Sequence, residues 1–409
     1  MKEMQTIASC RSCGAGCLVA FFDLGKQPLA NSLLKKRDAR EKAYPLSLSF
    51  CRACSLVQLN ETIDPRLMFL DYPWVTGTSG AAREFAEVFA KNVLRRSGTK
   101  DPFVLEVASN DGTFLLPFVK KGLKALGVDP ARNIAPIAKK SGVRTVVDFF
   151  GEKAAKKIVR EHGTADIVIA RNVLYHLADL GGAMRGIERA LAASGILAAE
   201  FHYGGKMLRE LHYDTIYHEH VCYYTLKSFE KLLNRYGMYG FDIARSPINS
   251  GGLIVYASKE KRNKSQAYKR LAERESKLRV NTLASWKAFA KKATAHRDHL
   301  KNMLLSLRRE GKCAIGYGAS ARSSTLLNYC GISGNDIAVI ADANQLKHGL
   351  YTAGSHIPIT DPQRAFLEKP DVVFLLAWNF AKEIVEIARS RYGFKGEFLV
   401  PLPQRPRII

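Results

Sequence analysis

The sequence predicts an α/β protein in three parts. A small cysteine-stapled N-terminal module (residues 1–70) precedes a Rossmann-like domain (71–258), and a second Rossmann-like domain (259–409) follows. Three observations predict this. Two Cys-x-x-Cys pairs lie close to the N-terminus. From about Tyr72, amphipathic helices alternate with short apolar strands, the pattern of a parallel sheet. At Lys312 a strand, a glycine turn and a helix begin such a pattern again. A length of 409 residues suits two or three domains.

Composition narrows the function classes. Hydrophobic residues make up 47% and charged residues 24%, ordinary values for a globular chain. No apolar run has the roughly 18 residues that a membrane span needs, so no membrane partner is expected. Met1 to Ser9 lack a signal-peptide core, which predicts a cytoplasmic protein. The net charge of +24 keeps nucleic acid and small phosphorylated ligands in view. Half of that excess lies in residues 259–312, with 17 basic and 5 acidic residues on a helical pattern (Leu271, Leu278, Leu283, Trp286, Leu300, Leu307). There it reads as a solvated helix face.

In the first part, Cys10-x-x-Cys13 and Cys51-x-x-Cys54 read as two knuckles of one structural Zn2+ site. Each knuckle brings two thiolates to one ion, and four thiolates leave no open catalytic position. Two redox motifs are the alternative reading, and Cys17 is a substitute ligand. Cys222, Cys313 and Cys330 read as buried small hydrophobes.

In the second part, a helix over Ala81–Leu94 precedes four strands: Pro102–Ala108, Lys124–Asp129, Arg144–Val147 and Ala165–Ala170. Ligands of open α/β sheets bind at the carboxyl ends of the strands. Glu106-Val-Ala-Ser109-Asn110-Asp-Gly112 stands at the first end, Asp129 at the second, Phe149-Phe150 beyond the third and Asn172 beyond the fourth. Asp129 suits two ribose hydroxyls, and the two phenylalanines suit an adenine or the core. The layout resembles the class I S-adenosylmethionine-dependent methyltransferases, with Ser109 and Asn110 where early glycines usually stand. A generic dinucleotide fold is the alternative, and it lacks its Gly-x-Gly-x-x-Gly here.

The densest chemistry is Tyr213-Asp-Thr-Ile-Tyr217-His218-Glu219-His220. Such groups are costly to bury unless paired. Acid–base catalysis, a second metal site and a solvated loop are the three readings. A histidine accepts a proton near neutrality, an adjacent glutamate can orient it, and a tyrosine can stabilise an oxyanion. His176, after the fourth strand, is a further candidate.

Taken in order, the knuckles, Ser109-Asn-Asp-Gly112, Asn172…His176 and Tyr217-His-Glu-His220 resemble the nucleotide-sugar C-methyltransferases, including the sugar 3-C-methyltransferases. Gly316-Tyr-Gly-Ala-Ser-Ala321, Lys347-His-Gly349, Gly354-Ser-His-Ile-Pro358 and Ala377-Trp-Asn-Phe380 extend the resemblance over residues 10–405. It implies deprotonation beside the ketone of a nucleotide-linked 4-keto deoxysugar, followed by attack of the enolate on the methyl of S-adenosylmethionine. It also implies His220 as base with Glu219 close by, Tyr217 and His176 at the keto oxygen, and Tyr72 over the site, with Trp74 competing for that place. One departure touches substrate choice. Asn249 and Ile254 stand where the family often has the histidine and arginine of His-Gly-Gly-Ser-Leu-Arg.

In the third part, Gly316-Tyr-Gly318-Ala-Ser-Ala321 opens a helix, which makes an anion site. The resemblance implies that Gly318, Ser320 and Lys347 meet the substrate's diphosphate; NAD and a purely structural domain are the alternatives. Nucleic acid is disfavoured as a partner: no Asn-Pro-Pro-Tyr or Pro-Cys methylation motif is present, and a second Rossmann-like half has no role in that reading. A zinc-containing RNA methyltransferase and a non-catalytic zinc-stapled binding protein are the competing functions. Monomer and dimer are both compatible with the sequence.

Overall fold

The computed structural model describes residues 3–248 and 251–409. The expected Asn249 contact lies outside the described residues. The N-terminal strands are β1 (Met4–Thr6), β2 (Leu18–Pro28), β3 (Ala43–Cys51), β4 (Val57–Leu59) and β5 (Glu61–Ile63). β2, β3 and β4 form an antiparallel sheet, and β1 pairs with β5.

The central sheet comprises β6 (Val104–Val107), β7 (Ala125–Val128), β8 (Thr145–Val146), β9 (Ala165–Arg171), β10 (Leu191–Phe201), β12 (Tyr239–Arg245) and β13 (Leu253–Ser258). β11 (Cys222–Tyr223) leaves this region and pairs with β4, so the chain after His220 is a strand of the cysteine module's sheet. The central order is β12-β13-β10-β9-β6-β7-β8, and β13 runs antiparallel to both neighbours. β6 is the switch point: the chain moves to β7 on one side and later to β9 on the other.

Both faces of this sheet are apolar, as covering helices require. Val104, Ile167, Ile169, Ile196, Ala198, Ile254 and Tyr256 share one cluster with Phe85 and Phe89 of the Gly80–Ser97 helix. Leu105, Val107, Val168, Ala170, Leu197, Ala199 and Val255 face the other cluster. This alternation follows the two-residue period of a strand. Ile254 is only 2% exposed within the first cluster, so its exchange for the family's arginine is a matter of core packing.

The third part has two long helices, Gln266–Lys277 and Leu283–Arg309, in the expected basic stretch. Then come β14 (Ala314–Tyr317), β15 (Ile340–Ala341), β16 (Ile359–Thr360), β17 (Val372–Leu375), β18 (Glu397–Val400) and β19 (Arg407–Ile408). The order is β16-β15-β14-β17-β18-β19, parallel except for β19. β14 occupies the switch-point place that β6 holds in the central sheet. Among the described residues no helix is long and apolar enough to cross a membrane. Cys222 and Cys330 are buried as expected, whereas Cys313 is half-buried, because it precedes β14 rather than lying inside it.

Candidate active site and metal centre

The two knuckles fold alike. In each, the fifth residue turns back with positive φ (Gly14, 75°; Ser55, 64°). Its N–H donates to the first cysteine's carbonyl, Gly14 to Cys10 at 2.8 Å and Ser55 to Cys51 at 2.9 Å. The first cysteine's N–H in turn donates to the sixth residue, Ala15 or Leu56. The four Sγ atoms lie within 4.8 Å of one another, with Cys10–Cys54 at 3.5 Å and Cys13–Cys51 at 3.6 Å. Four Zn–S bonds of about 2.3 Å at tetrahedral angles put sulfurs about 3.8 Å apart, so the quartet fits zinc. Cys17 Sγ stands 4.0 Å from Cys51 but outside the quartet. As free thiols, Cys10 is pushed up by the Cys54 sulfur and by burial, and Cys51 is pushed up to about 12 by burial.

At the carboxyl end of β6 the chain turns through Ala108 (φ 54°), Asn110 (φ 52°) and Gly112 (φ 78°). Positive φ at two non-glycine residues costs about 1–3 kcal/mol each and tends to mark functional turns. A Cβ on Gly112 would meet Val143 at 2.7 Å. Asn110 N–H donates to Asp129 Oδ2 and Ala131 N–H to Asp129 Oδ1, both at 2.8 Å. A carboxylate has further lone pairs for two hydroxyl donors. Among the described residues Glu106 Oε2 and Ser109 Oγ are buried polar atoms without a partner, and burial pushes Glu106 up to about 8. These orphaned atoms and the free capacity of Asp129 fit a polar ligand such as S-adenosylmethionine. Phe150 is taken by the core, 3.1 Å from the position of a Cβ on Gly186, and only Phe149 is partly exposed. Of the two rings read as adenine neighbours or core, Phe150 is therefore a core side chain and Phe149 keeps an open edge.

Asn110 and Asp111 have a further task that the sequence did not disclose. Asn110 accepts from Thr76 N–H and donates to the Trp74 carbonyl, and Asp111 accepts from Gly77 N–H. Asn133 adds two bonds to the backbone of Tyr72. The segment 72–77 is thus strapped over the turn. Tyr72 reaches Glu219, while Trp74 is 53% exposed, which separates the two competing aromatics.

The histidine segment folds inward against Asn172–His176. Asn172 has φ 50° and accepts from the Tyr175 hydroxyl at 3.2 Å. The rings of His176 and His220 lie 4.9 Å apart, those of Tyr217 and His220 3.9 Å, and those of Tyr175 and His220 4.7 Å. His202, at the end of β10, joins them with its ring 5.4 Å from His220. It was missed in the sequence because it stands alone in an apolar strand end. Burial keeps these imidazoles neutral: His176 is pushed down to about 4, His202 to about 3, and His220 well below its ordinary value.

Backbone carbonyls fix the tautomers, because a carbonyl can only accept. His220 Nδ1–H donates to Thr215 O at 2.7 Å, which leaves Nε2 as an acceptor. His176 Nδ1–H donates to Glu219 O at 2.8 Å, so neutral His176 also presents an acceptor. Two expectations change as a result. The Thr215 carbonyl, rather than the Glu219 carboxylate, orients His220. A keto oxygen gaining charge needs a donor, which Tyr217 can supply and neutral His176 cannot. Glu219 instead accepts from Asn31 and Tyr72, and burial pushes it up to about 7. His218 turns away to the Pro45 carbonyl.

The third part touches this cluster directly. Buried Asp214 accepts from Arg322 and from Trp378 Nε1, each at 2.9 Å. The glycine turn, however, satisfies its own amides. Gly318 N–H donates to Ala341 O, Ala319 N–H to Asp342, and Ser320 N–H to Ser323 Oγ, while Ser320 Oγ caps its own helix. Gly318 has φ 98°, and any Cβ there would collide with Ala377. Lys347 binds Ala319 O at 2.6 Å and Asp342 at 3.3 Å. The expected cradle of amides around Gly318 and Ser320 is therefore spent internally, and Lys347 is already paired with an acid.

Three family models match successive stretches: a zinc binding domain over residues 10–69, a methyltransferase domain over 81–243 and a C-methyltransferase C-terminal domain over 247–403. C-methyltransferase NovU of Streptomyces niveus is 31% identical over 99% of this chain and 98% of its own length. Among solved structures, magnesium protoporphyrin IX methyltransferase (ChlM) of Synechocystis PCC 6803 with bound SAH is 12% identical, covering 43% of this chain and 83% of that one, with a TM-score of 0.35. The 1,6-didemethyltoxoflavin-N1-methyltransferase of Burkholderia thailandensis is 19% identical over 45% and 81%, with a TM-score of 0.34. The chain belongs to the C-methyltransferase family: it is an S-adenosylmethionine-dependent enzyme with a zinc-binding N-terminal module.

Proposed function

We propose that the enzyme methylates a carbon next to the ketone of a nucleotide-linked 4-keto deoxysugar, through an enolate formed by His220. The observation that carries this reading is the tautomer of His220: a neutral, buried imidazole held by Thr215 O with Nε2 left to accept a proton. Transfer to carbon requires such a base, because a C–H bond offers no lone pair of its own to attack with. The keto sugar comes from the resemblance of the motifs.

His220 Nε2 takes the α proton, and the electron pair moves into the enolate. Tyr217, whose ring lies tilted against His220 with centroids 3.9 Å apart, donates to the oxygen as it gains charge. His176 offers an acceptor suited to a sugar hydroxyl. Asp129, with Glu106, Ser109, Asn110, Gly112, Phe149 and Asn172 around the strand ends, would hold S-adenosylmethionine, which supplies an activated methyl on sulfonium. The nucleotide diphosphate would lie toward the third ammonium proton of Lys347 rather than the spent glycine turn, in a domain that the Arg322–Asp214–Trp378 contact keeps against the cluster. His220 then gives up its proton to solvent.

The test is a mass-spectrometric screen of nucleotide sugars, keto and non-keto, with S-adenosylmethionine. The reading expects methyl gain on carbon for a 4-keto sugar nucleotide and none for its 4-hydroxy counterpart. Product from hydroxy sugars, or methyl found on oxygen, would overturn it.

A further inference from the structure

We propose that Asn31 of the zinc-binding module is a positioning residue for the reaction, holding the Glu219 carboxylate beside the histidine cluster. The inference rests on the enolate reading of that cluster. Asn31 Nδ2 donates to Glu219 Oε1 at 2.5 Å, across 188 positions of sequence. Glu219 is itself only 4% exposed. Among the described residues it has few other polar neighbours: the Tyr72 hydroxyl donates to its carboxylate, the phenols of Tyr175 and Tyr217 lie near it, and His176 binds its backbone carbonyl rather than its carboxylate. Burial favours the neutral acid, and the two donors favour the carboxylate. The amide is thus placed to decide the ionisation of a group that would otherwise be protonated near neutrality.

The placement of Asn31 is built from two sides. The loop between β2 and β3 carries it, and those strands end at the zinc quartet. The same loop is clamped to the third part. Leu34 and Tyr351 exchange N–H···O bonds of 2.8 Å, and Glu41 accepts from Gly354 N–H at 2.8 Å and meets His356 at 2.6 Å. This gives the zinc module a task in the chemistry: it delivers one side chain into the reaction cluster. Through Glu219 and the Tyr72 hydroxyl, Asn31 fixes a phenol at the edge of the histidine cluster.

Asn31→Ala and the isosteric Asn31→Asp separate this role from packing. Glu219 is followed in the full-length, zinc-loaded protein by carboxyl 13C NMR, with Glu219→Gln as the assignment control. Both variants should raise the Glu219 midpoint by a pH unit or more, the aspartate more than the alanine, with zinc content unchanged. Their α-deuterium exchange into a 4-keto sugar nucleotide should fall tenfold or more at pH 7 and recover at higher pH. Wild-type midpoints in both variants would overturn the proposal, as would a wild-type pH profile of exchange. If the wild-type protein shows no exchange with any keto sugar, the enolate reading fails, whereas the Glu219 midpoint still reports on Asn31.

Discussion

The two Rossmann-like sheets solve one local problem in the same way and then diverge. In each, an acid beyond the second strand accepts one N–H from the turn after the first strand and one from its own second neighbour. Asp129 takes Asn110 and Ala131; Asp342 takes Ala319 and Asn344. The difference is charge. Asp342 is neutralised by Lys347, which also closes over the turn at Ala319 O. The partners of Asp129 are amides, and its turn spends its side chains on holding the 72–77 strap. Shared topology therefore does not assign a shared ligand. On the proposed reading, one acid is kept for ribose hydroxyls and the other tethers a lysine for a phosphate-bearing substrate.

The comparison can be broken or sharpened by substitution. The largest effect belongs to the chemistry that both halves serve: His220→Asn keeps shape but loses the base, and general base loss costs about 10²–10⁴-fold in turnover. Steady-state kinetics should show this in kcat with the Kd for S-adenosylmethionine unchanged. Next, Asp129→Ala should weaken S-adenosylmethionine by about ten- to a hundredfold, the scale of lost hydrogen bonds to a charged group. Asp342→Ala should leave that affinity alone, and calorimetry on both variants distinguishes the two acids. Equal losses would mean that both sheets bind the methyl donor. A smaller change is expected for Lys347→Met: a several-fold rise in KM for the nucleotide substrate, since one charge contact from a lysine already shared with Asp342 is worth about 1 kcal/mol or less.

A separate effect is in pH. His202 has its folded-state value depressed to about 3 from 6.5, by burial first and then by Arg322. Its neutral form is the one that fits the fold. Stability is fully present above pH 6.5 and is lost as pH falls from there toward 3, where the unfolded chain binds the proton first. Urea unfolding from pH 7 to 4.5 should therefore be shallower in His202→Gln than in the wild-type protein.

Much of this was legible in the sequence, for physical reasons. The four ligand cysteines were visible because two thiolates at i and i+3 report a knuckle directly. The order of apolar strands gave the sheets, and Asp129 followed from its place at a strand end. Long-range partners were not legible. Asn31 meets Glu219 across 188 positions, and no local pattern marks such a pair. His202 joins the cluster only because β10 ends beside the His176 turn. The glycine turn at Gly318 misled for a different reason: a helix start predicts free amides, but the side chains of Asp342 and Ser323 had already taken them. His176 shows a similar limit, since its tautomer depends on a backbone carbonyl that only the fold supplies.

The most direct test of the central claim, that a neutral His220 makes an enolate, is deuterium exchange without methyl transfer. The protein is incubated in D2O with a 4-keto sugar nucleotide and S-adenosylhomocysteine, and the α carbon is followed by NMR. Exchange in the wild-type protein, lost in His220→Asn and retained in Asp342→Ala, is the predicted result. Exchange that persists in His220→Asn at the wild-type rate would contradict it.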